Sequence, residues 1–152
     1  MNDYQKLLVQ KSFQQIVPVA DQAAQLFYDR LFALDPSLRP LFKSDMAQQE
    51  LKLMHTLQHA VAALDDFEKI VPALQSLGRN HVEYGVQDAH YATVGDALIW
   101  MSAQMLGDQF TDEVRSAWLE TYDLISTVMR EAAAEASVNR SGVPSLEEIE
   151  DC

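Results

Sequence analysis

Apolar residues recur at steps of three and four along most of the chain. Val114, Trp118, Tyr122, Ile125 and Met129 form the clearest stripe, which is one face of an α-helix. Leu7, Val9, Phe13, Ile16 and Val17 form a looser one near the start. Alternating runs of Val, Ile and Thr are absent, so the pattern predicts an all-α chain.

The breakers divide that pattern into elements. Asn2 or Asp3 is placed to cap a first helix that runs to about Val17, and Pro18 ends it. A second helix runs from about Val19 to Ala33 and stops at Asp35-Pro36, because a residue before proline avoids the helical region. A short helical turn fits Ser37 to Leu41. Ser44-Asp45 then caps a long helix from about Met46 to Leu64, and Asp65-Asp66 caps another from Phe67 to about Val82. Gly85 opens a loop. Asp88 is placed to cap a helix ending near Gly107, and Thr111 starts the last one, which runs to about Ala136. Asp112 and Glu113 in its first turn suit the positive end of the helix dipole. The expectation is six long helices and one short one in a domain spanning 1–136. The segment 137–152 reads as a flexible acidic tail. Uneven helix lengths and irregular loops do not fit a four-helix bundle, which would show four long, similar helices.

Composition narrows the function classes. The 152 residues make one domain by size. The net charge of -12 works against nucleic acid as a partner, which needs a basic footprint, and against anionic membranes. No apolar run is long enough to span a bilayer; Asp96 and Gln104 interrupt the longest candidate. The single cysteine, Cys152, permits neither an internal disulfide nor a cysteine-based metal cluster. The N-terminal residues lack a signal-peptide pattern, so a cytoplasmic location is expected.

Motifs for phosphate binding, serine hydrolysis and zinc proteolysis are missing. The four histidines are His55, His59, His81 and His90. A lone histidine is more often a surface or core residue than a ligand. His55 and His59 lie four apart on one helix, a spacing that admits a metal, yet no third ligand is evident nearby. His81 stands apart because Leu74, Leu77, Gly78 and His81 share one helical face. An apolar face with one imidazole and one glycine can receive a flat macrocycle. In that reading Gly78 lets the plane approach the backbone, and His81 offers a neutral nitrogen to iron. Tyr28, from its residue type and helical setting alone, reads as a core tyrosine, and Gln49 as a solvated side chain.

Four segments in order then resemble the globin family. They are Leu26-Phe27-Tyr28-Asp29-Arg30-Leu31-Phe32 followed by Asp35-Pro36, then Leu41-Phe42, Leu77-Gly78-Arg79-Asn80-His81, and His90-Tyr91-Ala92-Thr93-Val94-Gly95. The resemblance spans about Tyr4 to Glu135 and is strongest to single-domain bacterial haemoglobins and the globin domain of flavohaemoglobins. It implies haem b held by His81 as the proximal iron ligand. It implies a distal pocket with Tyr28 donating to bound ligand, Phe42 packing on the haem and Gln49 at the distal position. Leu53 lies above the iron and Lys52 pairs with a propionate in the same transfer. His55 falls about 200° around the helix from Leu53, facing away. Leu77, Tyr91 and Val94 complete the implied haem contacts. Tyr91 and Glu135 match a Tyr–Glu pair behind the proximal histidine, which would make His81 more imidazolate-like.

The function implied is reversible binding or storage of O₂, with NO and CO as related ligands. A nitric oxide dioxygenase is the alternative, with Tyr28, Tyr91 and Glu135 as its catalytic residues and a separate flavin reductase as partner. Gas or redox sensing through the acidic tail or Cys152 is a third reading. The residues leave open whether the chain forms a homo-oligomer.

Overall fold

The helix boundaries follow from local chemistry. Asn2 caps the first helix, α1 (Asp3–Ile16), in a reciprocal box: its side chain accepts from the Gln5 amide, and the Gln5 side chain accepts from the Asn2 amide. A 3-10 turn over Val17–Val19 contains Pro18 and leads into α2 (Ala20–Leu34). Asp35 ends α2 and caps the 3-10 segment Pro36–Leu41 through the Ser37 amide at 3.1 Å. Asp45 caps α3 (Met46–Ala62). In this computed structural model, residues 1–42 and 45–142 are described, with side chains to 136.

The second half departs from the sequence pattern at three places. A 3-10 segment occupies Leu64–Lys69, so the next helix, α4 (Val71–Glu83), starts later than Phe67. Pro72 fits there because the first helical turn has no intrahelical acceptor for its missing N–H. Asp88 does not cap α5 (His90–Leu106), whose N-cap is Ala89 with no side-chain bond. The His90 ring instead folds back on the preceding loop, its Nδ1 accepting from the Gln87 amide at 2.9 Å. After a 3-10 turn over Gly107–Gln109, Thr111 Oγ1 accepts from the Val114 amide and opens α6 (Asp112–Gly142). That helix continues past Ala136, so its end differs from the expected one. The remaining acidic segment, 143–152 with Cys152, and the Ser44 cap lie outside the described residues.

Six α-helices and no strand are present among the described residues. This is the expected all-α architecture, with the short helix at Pro36–Leu41 and three further 3-10 turns. The helices pack most extensively as α4 on α6, α2 on α5 and α1 on α6. Trp118 anchors the last of these pairs. It is 1% exposed, and its indole N–H donates to the buried Ser12 hydroxyl at 2.9 Å. The stripe on α6 therefore faces inward as expected. On α1 the buried face is Val9, Ser12, Phe13 and Ile16, while Leu7 and Val17 are exposed. The serine belongs to the core because Trp118 needs an acceptor there. No described helix is long and apolar enough to cross a membrane.

Most of the buried apolar residues fall into two clusters. The larger gathers Phe27, Tyr28 and Leu31 of α2, with Phe42, Leu53 and Val94 packed against it. The smaller contains Leu74, Tyr91 and Met129, with Leu77, Val86 and Ile125 against it.

Candidate functional site

Tyr28 sits on the buried face of α2, 5% exposed. Its ring meets Phe27 edge-on at 4.9 Å, Phe42 edge-on at 5.5 Å and Phe32 at 5.9 Å between centroids. The Gln49 side chain, at the start of α3, hydrogen-bonds its hydroxyl. Burial pushes the phenol up to about 12, the Gln49 bond works against that, and the Glu50 charge adds to it. A phenol so placed stays protonated at neutral pH and remains a donor. Tyr28 thus meets both Phe42 and Gln49, and Leu53 packs against the same apolar cluster. Lys52 is exposed beside them. His55 and His59 are exposed too, their rings 6.3 Å apart. No group of three or more His, Cys, Asp or Glu side chains suited to a metal ion occurs among the described residues.

His81 lies one turn beyond Leu77 on α4. Its Nδ1 donates to the Leu77 carbonyl at 2.6 Å. Since a carbonyl only accepts, this bond fixes the tautomer and leaves the Nε2 lone pair open. Burial holds the ring below its ordinary value of 6.5, with the Leu77 bond acting the other way. A neutral imidazole with one oriented free nitrogen is the donor that haem iron requires.

Gly78 has a different task from the one its place in the motif suggested. A Cβ on it would lie 2.2 Å from the Met129 carbonyl oxygen and 2.8 Å from two further Met129 backbone atoms. The glycine faces α6 and sets the close approach of α4 to it. Leu74 and Gly78 thus face α6, while Leu77 and His81 occupy the neighbouring row of the same helix.

Behind His81 the expected chain of Tyr91 and Glu135 is not assembled. Glu135 is exposed. It follows Arg130 by five residues, about 140° further around the helix and about 7.5 Å along it. Tyr91 is 7% exposed and its hydroxyl has no hydrogen-bond partner. Burial raises its phenol, Asp88 adds to that, and Arg130 opposes it. Arg130 Nε and Nη2 pair with the Asp88 carboxylate at 2.7 and 3.0 Å. The Tyr122 hydroxyl donates to the Tyr91 carbonyl at 2.6 Å. Gly95 makes room for this tyrosine, since a Cβ there would lie 2.8 Å from the Tyr122 ring. Arg130, Asp88 and Gly95 carry positioning roles that sequence reasoning missed. Tyr122 was visible only as a member of the apolar stripe.

The residues present therefore fit haem: a half-buried neutral imidazole with a fixed free nitrogen, a buried phenol donor, and apolar walls. Comparison with known proteins agrees. The globin family's sequence model matches residues 25–129. Neuroglobin of Danio rerio is 30% identical over 130 residues, covering 76% of this chain and 82% of that protein. Neuroglobin of Chaenocephalus aceratus is 31% identical over 124 residues, covering 72% and 78% respectively. An engineered carbene transferase, derived from a protein assigned as a nitric oxide dioxygenase in Rhodothermus marinus, superimposes with a TM-score of 0.85. It is 23% identical and covers 93% of this chain and 99% of its own. The bacterial subgroup expected from the motifs is not what these curated relatives represent.

Proposed function

This chain belongs to the globin family, whose members bind haem, and from that premise we propose that it holds haem b on His81 and reversibly binds O₂ and other diatomic gases. When bound, the haem supplies an iron with a coordination position for such a gas. His81 contributes Nε2, oriented by the Leu77 bond and kept neutral by burial. Tyr28 contributes a hydrogen-bond donor. With Gln49 on the phenol, the hydroxyl is presented in a defined direction, and a partly anionic bound O₂ strengthens such a bond. Phe42, Leu53 and Val94 exclude water from the same space.

The observation that carries this reading is the half-buried His81, whose Nδ1 bond to Leu77 leaves Nε2 free. Haem should titrate into the purified chain at one equivalent, with an absorption spectrum showing histidine ligation. The reduced form should then change its spectrum reversibly on O₂ and CO exposure. Loss of stoichiometric binding in His81→Ala would fit; a spectrum unchanged by that substitution would sink the assignment.

The exposure of Glu135 and the Leu77 bond of His81 support a neutral proximal imidazole, and so favour ligand binding over dioxygenation. The acidic tail and Cys152 enter no step of this reading.

A further inference from the structure

Phe42 is held on both of its backbone polar groups by one residue. Its N–H donates to the Arg39 carbonyl at 3.1 Å, and its carbonyl accepts from Arg39 Nη1 at 3.2 Å. The same guanidinium lies over the Phe32 ring, 5.6 Å from its centroid. Phe32 in turn meets Phe42 edge-on at 5.5 Å and Tyr28 at 5.9 Å, and Tyr28 meets Phe42 at 5.5 Å. The three rings close a triangle, and Arg39 grips two of its corners.

Arg39 itself stands on a firm base. Leu38 beside it is 3% exposed, and Asp35 caps the turn from below. Pro36 and Pro40 restrict the backbone on either side. Its own head is exposed, so packing is not the reason it is there. A guanidinium suits this place because its planar fork can donate to a carbonyl while its face rests on a ring.

Resting on the ligand-binding reading above, we infer that Arg39 is a positioning residue for the distal pocket. By fixing Phe42 from outside, it sets where the Phe42 ring stands against Tyr28. That placement decides how narrowly the Tyr28 hydroxyl is aimed and how firmly the pocket mouth is closed over haem.

The test compares Arg39→Met and Arg39→Lys with the unaltered full-length, haem-loaded chain. Three quantities are read: haem transfer to an excess of a haem-free acceptor globin, the infrared C–O stretching band of the CO-bound form, and the melting temperature. In Arg39→Met, haem loss should rise roughly two- to tenfold, the range expected for losing one exposed hydrogen bond. The C–O band should broaden or split as Tyr28 samples more than one position. Arg39→Lys should recover part of this, because an ammonium keeps the charge without the planar fork. A lowered melting temperature with unchanged haem loss and an unshifted single band would mean a merely structural role and overturn the inference. Full recovery by lysine would overturn it as well, since charge alone would then suffice. If the unaltered chain takes up no haem, the ligand-binding reading fails first, and that failure is visible before any variant is made.

Discussion

Tyr28 carries two relationships at once: a ring locked among Phe27, Phe32 and Phe42, and a hydroxyl engaged by Gln49. Removing only the hydroxyl separates them. Tyr28→Phe keeps the ring packing and deletes the donor. A hydrogen bond to a charged acceptor is worth about 1.5–3 kcal/mol, so O₂ release should accelerate about 10- to 100-fold. CO release, with less charge to stabilise, should change far less. Stopped-flow displacement of each gas measures both. Equal changes for O₂ and CO would show that Tyr28 acts by shape rather than by donation. His81 illustrates the same economy: a single bond to Leu77 sets tautomer and direction together.

Among the elements, α6 organises the part of the molecule that carries His81. Met129 receives Gly78 of α4, Tyr122 holds the first turn of α5 through the Tyr91 carbonyl, and Arg130 grips Asp88 in the loop between those two helices. A mid-helix glycine ordinarily costs about 1 kcal/mol against alanine. At Gly78 that cost is outweighed by the approach of α4 to α6. Gly78→Ala would force its Cβ against the backbone oxygen of Met129, which has no rotamer to escape through. The helices must separate, and stability should fall by about 3 kcal/mol or more despite the better helix propensity. Urea unfolding measures this directly. A neutral or stabilising outcome would mean that the close contact of α4 with α6 is not maintained in solution.

For the whole molecule, pH and net charge act together. The Arg130 guanidinium beside Asp88 holds that carboxyl below its ordinary 3.8, by hydrogen bond first and charge second. A folded-state value below the unfolded one adds stability at pH above the unfolded value. That contribution is lost as pH falls through the lowered value, when the folded chain takes up the proton as well. The pair is exposed, so its effect is small and screened by salt. Asp88→Asn should lower the urea midpoint slightly at pH 7 and not at all near pH 2. A difference that persists unchanged at the acid end would assign Asp88 a role other than its charge.

The parts legible in the sequence are those set within one turn of helix. Asn2 and Asp45 as caps, Asp35-Pro36 as a stop and the α6 stripe depend on neighbours three or four residues away, and all hold in the structure. The same locality brought His81 and Tyr28 forward as candidates, because family motifs preserve short spacings. What only the tertiary structure decided involves residues far apart in sequence. Asp88 left its expected cap for Arg130, Gly78 turned toward α6, and Ser12 entered the core for Trp118. Glu135 stayed in solvent, and Tyr91 was left with a buried hydroxyl and no partner. Local pattern fixes which face of a helix is apolar. The approach and rotation of one helix against another decide which side chains meet there, and those quantities are written in no single segment.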